Sequence, residues 1–152
     1  MMRTLYIIIL LLPITCMSQD DQQDVKQYAD VVSVKTSGTE SNYTFSVEVS
    51  SPDLGCQQYA DWWEVLTEDG RLLYRRILAH SHVNEQPFVR SGGKVKIGKD
   101  ELVIVRVHMS NTGYGRDGQK GSVFSGFKKI LLEEDFAKNL EKADPQPSGC
   151  AF

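Results

Sequence analysis

The segment Asn42 to Ser50 alternates strictly. Tyr43, Phe45, Val47 and Val49 fall on one side and Thr44, Ser46, Glu48 and Ser50 on the other. Side chains repeat every two residues along a strand, so this period makes a half-buried antiparallel strand and excludes an amphipathic helix over the same residues. The pattern recurs. Val32 and Val34 open an earlier alternation, and Val103, Val105, Val107 and Met109 line up within Leu102 to Met109. Trp62 to Thr67 and Leu72 to Leu78 flank Glu68-Asp69-Gly70-Arg71, where Asp-Gly is a strong hairpin signal. Val95 and Ile97 precede another turn at Gly98 to Glu101, and Ser122 to Ile130 supplies a last strand. About seven short strands at this spacing predict a mainly β fold, a sandwich of two antiparallel sheets.

Two segments lie outside that pattern. Leu132, Phe136, Leu140 and Ala143 fit a helical stripe with acids at its start and lysines toward its end, which predicts a short C-terminal helix stopped by Pro145. At the other end, Leu5 to Ile14 is an apolar block of ten residues behind Arg3, too short for the roughly 20 residues of a spanning helix. It reads as a secretory signal peptide. Cleavage after Ser18 is one route. Lipidation of Cys16 is the other, although Pro13, Ile14 and Thr15 are a poor lipobox. The expected organisation is a signal over 1–18, a flexible acidic leader over 19–28, a sandwich over 29–131, and a helix and tail over 132–152, with no transmembrane span after processing.

Export decides how the three cysteines are read. With Cys16 at the processing site, Cys56 and Cys150 form an even pair in an oxidising compartment, where a disulfide is the natural state and two free thiols the alternative. Metal binding by two distant cysteines lacks any CxxC spacing. The charge, 17 basic against 20 acidic residues, provides no basic excess for general nucleic-acid binding.

Leu102 to Gly115 (LVIVRVHMSNTGYG) resembles the penultimate strand and following loop of a fibronectin type III domain, and the order of strand signals resembles that of immunoglobulin-like sandwiches. The resemblance spans about 100 residues and implies a fold, not an activity. The block from Ala60 to Ser91, with DWWEVL, LLYRRIL and HSHVNEQPF, also resembles small exported bacterial proteins of unassigned role.

The sharpest local chemistry is His80-Ser-His82 with Glu85. If the strand continues, two imidazoles share a face beside a carboxylate, a ligand set for zinc or copper. His108 cannot complete it. Its strand and that of His80 would flank the Trp62 strand, about 9–10 Å apart, and Arg106 and His108 sit opposite the apolar valines, on the face expected to meet solvent. Gly113 to Gly118 matches GxGxxG, but a strand rather than a helix follows, so no phosphate-binding turn is expected. Asn111 to Gly121 reads as a mobile loop in which Tyr114 and Arg116 are suited to anchoring a partner. Trp62 and Trp63 are adjacent, so one should face away from the core, where with Tyr59 it is placed to stack on a sugar or peptide. Arg71, Arg75, Arg76, Arg90, Lys94, Lys96 and Lys99 make one side locally basic. No catalytic set is recognisable, since there is no GxSxG elbow and the mature cysteines are expected to be paired. These features predict an exported binding or interaction module without catalysis or cofactor, its partner a protein or glycan of the envelope or extracellular space. The competing reading is a metal-binding protein using His80, His82 and Glu85.

Overall fold

A computed structural model describes residues 27–151. The signal segment, Cys16, all but the last two residues of the leader, and Phe152 lie outside them. The described residues form nine strands in two antiparallel sheets: β1 (Asp30–Thr39), β2 (Asn42–Ser50), β3 (Ala60–Thr67), β4 (Leu72–Ile77), β5 (Phe88–Val95), β6 (Val103–Met109), β7 (Gly113–Tyr114), β8 (Asp117–Ser122) and β9 (Gly126–Leu131). The smaller sheet runs β1-β2-β5 and the larger β4-β3-β6-β8-β9, with β7 paired to β6. No helix among the described residues is long and apolar enough to cross a membrane.

The two sheets enclose the main core. In β2 the residues Tyr43, Phe45, Val47 and Val49 are buried and their neighbours between are not, as the alternation requires. They meet Trp63 and Val65 of β3 and Val103, Val105, Val107 and Met109 of β6. One flank of the sandwich is drawn together where Arg76 Nε donates to the carbonyl of Ser91 at 3.2 Å. Gly92 makes that approach feasible, because a Cβ there would stand 2.6 Å from the Tyr74 hydroxyl.

The larger sheet departs from the simple pattern. β3 is buried along all but its last residue and β6 along its whole length, on both faces. The residues after β9 fold back across the outer face and form a second apolar layer from Leu66, Ile104, Leu132 and Leu140, with Phe136 packed against it. This covering segment is not the expected α-helix. Its regular part is a single 3-10 turn over Lys138–Lys142, preceded by Ala137 in the left-handed region (φ 46°). The apolar spacing of Leu132, Phe136 and Leu140 does reach one face, but backbone carbonyls are drawn toward the sheet instead of into a helical ladder.

Other boundaries also shift. The expected mobile loop Asn111 to Gly121 contains β7 and most of β8, both hydrogen-bonded to β6. The expected strand Ser122 to Ile130 is divided by a turn, in which the Ser122 and Ser125 side chains each accept the other's backbone N–H. β4 ends at Ile77, so His80 and His82 lie in the connection to β5 and not on a strand.

Candidate functional site

Glu64 sits at the middle of β3, directly across from Arg75 of β4 and Arg106 of β6. Because β3 is the central strand of the three, its outward carboxylate has a guanidinium on each side. Arg75 Nε donates to Oε2 at 2.9 Å with Nη2 2.8 Å from the same oxygen, and Arg106 Nε donates to Oε1 at 2.8 Å with its Nη2 also at 2.8 Å. The Glu64 and Arg75 side chains have no solvent exposure and that of Arg106 almost none. Such a triad carries one net positive charge into a low-dielectric layer, which is costly unless the remaining N–H groups find acceptors.

Here the acceptors come from the covering segment. Arg75 donates to the carbonyls of Leu140, Ala143 and Pro145, and Arg106 to those of Phe136 and Ala137. These five carbonyls place negative dipole ends against the excess charge and orient the segment at the same time. The tail beyond it is tied at two further points: Ala151 N–H donates to the Ala79 carbonyl at 2.6 Å, and Cys150 is bonded to Cys56 across a sequence separation of 94. Arg106 and His108, expected to face solvent, are therefore buried. The sheet face they occupy is covered by the chain itself.

Beside the triad lies an aromatic stack. Trp62 is parallel to the His108 ring, with centroids 3.7 Å apart, and Tyr114 meets both edge-on. Arg75 lies over Trp62 at 4.4 Å and Arg106 over Tyr114 at 3.5 Å. His108 Nδ1 is 2.7 Å from Asp61 Oδ1, and burial raises the Asp61 carboxyl above its ordinary range while the His108 hydrogen bond works against that rise. The Tyr114 hydroxyl accepts from Trp62 Nε1 at 3.3 Å. Burial first, and the nearby Glu64 charge second, push its ionisation well above that of a free phenol. A group whose folded pKa is raised contributes stability that is lost as pH climbs past the unfolded value, about 10 for tyrosine. Titration of phenolate absorbance should therefore show a late phase that coincides with unfolding and is absent in Tyr114→Phe. A titration in which Tyr114 ionises with the exposed tyrosines would contradict this.

Neither tryptophan nor Tyr59 is available for stacking on a ligand. Trp62 is 2 % exposed, Trp63 fully buried in the core, and Tyr59 4 % exposed. Adjacent residues on a strand do point to opposite faces, but both faces of β3 are covered. The Tyr114 and Arg116 pair divides likewise. Tyr114 packs into the stack, while Arg116 is exposed and holds the Leu132 carbonyl through Nε at 3.0 Å.

A groove of about 300 Å³ opens next to this stack, lined by Tyr28, Tyr114, Gly115, Arg116 and Glu134. A smaller cavity of about 80 Å³ shares Tyr28, Tyr114, Gly115 and Glu134 with it and is also lined by Phe136 and Glu141. Tyr28 is 41 % exposed and forms one wall, its Cβ so close to Gly115 that a side chain there would stand 2.8 Å from it. The groove thus joins the residues before β1, the β7 hairpin and the covering segment. Sequence order alone separates these parts, and none of them signals the groove by itself.

The histidine segment forms a second depression, an open cleft of about 420 Å³ lined by Gly55, His80 to Glu85 and Ala151. His82 is buried and its ring stacks on Phe88 at 3.7 Å, while His80 is exposed. Burial lowers the His82 pKa, with Arg90 adding to the effect. Glu85 is not positioned as a third metal ligand. It is paired with Arg90 at 2.9 Å, a hydrogen bond that depresses its carboxyl pKa. Among the described residues no group of three or more His, Cys, Asp or Glu could hold a metal ion. Of the basic residues, Arg75 is buried in the triad, whereas Arg71 and Arg76 are exposed.

Glu64 was not legible as a site residue. A signal existed, since the outward positions of β3 and β6 mix Trp62, Glu64 and Leu66 with Ile104, Arg106 and His108. An outward face carrying that much apolar surface needs a cover, and the charges within it then need partners.

Among known proteins, no family model matches the chain and no solved structure matches it. A curated protein of Halomicrobium mukohataei, described as "Putative lipoprotein", is 42% identical over 89 residues, 59% of this chain and 44% of that protein. The chain thus spans less than half the length of the relative it matches.

Proposed function

We propose that this chain is an exported β-sandwich binding module without chemistry of its own, which recognises a protein or glycan of the envelope or extracellular space through the groove between Tyr28, Tyr114, Arg116 and Glu134. The groove carries this reading: about 300 Å³ of concave surface with an exposed aromatic wall and one exposed guanidinium, built on anchored backbone. The most deeply buried charged cluster, Glu64 with Arg75 and Arg106, is committed to holding the protein's own C-terminal segment, which favours a binding role over a catalytic one. The relative's description supports export and, through Cys16, a lipid anchor; cleavage after Ser18 with release of a soluble form is the alternative route.

The test is capture from the native envelope. Tyr28→Ala and Arg116→Ala remove exposed groups, so the fold should be retained. Loss of a specific partner in both variants is the expected result. An unchanged set of captured components would refute recognition at this groove.

A further inference from the structure

His82 has an unusual environment for a buried imidazole. Its backbone N–H is anchored on Asp53 Oδ2 at 2.8 Å and its ring is held flat against Phe88, yet neither ring nitrogen has a hydrogen-bond partner among the described residues. The nearest carboxylate oxygen, Asp53 Oδ2, is 3.8 Å from Nδ1. Buried polar side chains are nearly always satisfied, and an exception asks for a missing partner. Residues 80 to 85 line the open cleft, and the exposed ring of His80 lies against the buried ring of His82, their centroids 4.5 Å apart and tilted by 37°.

We propose that His80 and His82 form a two-nitrogen site for a monovalent closed-shell cation, with cuprous copper as the ligand. Two metal–imidazole bonds of about 2 Å require the ligating nitrogens to stand about 4 Å apart. The two ring centres of such a pair stand about 6 Å apart, so the exposed His80 ring swings outward from its present 4.5 Å centroid separation to open the gap. Zinc fits poorly because it takes four ligands in a closed site. Here Glu85 is engaged by Arg90, and Asp53 already accepts the backbone N–H groups of Ala60 and His82. A d10 monovalent ion accepts two nitrogen ligands, with solvent in the open cleft completing its shell.

The test uses the full chain with Cys16→Ser, because a free thiol would bind the same ions more strongly, and with the Cys56–Cys150 disulfide intact. Silver(I) is the redox-inert probe, followed by copper(I) supplied under ascorbate against a chromophoric chelator. One equivalent should bind, with both imidazoles shifting in nitrogen NMR spectra. His80→Ala should weaken binding at least about tenfold without moving the unfolding midpoint, since His80 is exposed. Zinc should not compete. Absence of saturable binding, full binding by His80→Ala, or zinc bound as tightly as copper(I) would each overturn the two-nitrogen site.

Discussion

Replacing Glu64 by glutamine is expected to destabilise the protein by about 3–5 kcal/mol, the range for removing one partner of a buried ion pair. The carboxylate accepts from two guanidinia on opposite sides. A glutamine can present its oxygen to only one of them and turns N–H donors toward the other, which leaves a buried cation facing a donor. Arg75 and Arg106 keep their bonds to the covering segment, so the loss falls on the sheet and the segment together. Urea denaturation with both fluorescence and far-ultraviolet readouts measures it. Glu64→Leu with Arg75→Met and Arg106→Met removes the charges as a set and should cost the sandwich less than Glu64→Gln alone, while loosening the tail. A loss below about 1 kcal/mol in Glu64→Gln would show that the triad is not the unsolvated cluster its geometry describes.

Removing the disulfide with Cys56→Ser and Cys150→Ser is expected to cost about 4.5 kcal/mol in the chain-entropy treatment, from a closed loop of about 95 residues. That figure is the upper end, because the tail is also held by the two arginines and by Ala151. The two restraints act on one segment and should not be additive. Adding Arg75→Met to the disulfide-free protein is therefore expected to cost more than Arg75→Met in the oxidised protein, since only in the former is the tail free to leave. Equal costs in the two backgrounds would mean that the disulfide and the guanidinium clamp restrain independent parts of the chain.

Much of the fold was readable from residue order, and the reason is local. A strand with one covered face records its orientation in every second residue, so β2 and the inner face of β6 could be read directly from Tyr43 to Val49 and Val103 to Met109. The pairing of Cys56 and Cys150 followed from parity and compartment in the same direct way, and the structure joins them. The outer face of the larger sheet could not be read so. Alternation places His108 and Arg106 away from the valines but does not say whether water or protein lies there. Trp62 and Trp63 show the limit most clearly, because adjacency assigns them to opposite faces and both faces proved buried.

The candidate sites divide along the same line. His80, Ser81 and His82 were visible as a motif, but the end of β4 at Ile77, the burial of His82 and the capture of Glu85 by Arg90 depend on chain packing. The groove joins three remote segments: Tyr114 and Arg116 were legible as partner-anchoring residues of their loop, but nothing in residue order brought Tyr28 and Glu134 beside them.

The sequence by itself determined that the chain makes a mainly β, two-sheet antiparallel sandwich, because side-chain period is a property of consecutive residues. Only the tertiary structure decided what the residues after β9 do. Leu132 to Ala143 has a helical stripe, yet Arg75 and Arg106 compete for its carbonyls, and the two buried guanidinia prevail over the helical hydrogen-bond ladder. The cause is electrostatic: two positive groups facing one carboxylate need further acceptors, and the returning backbone is where the folded chain supplies them.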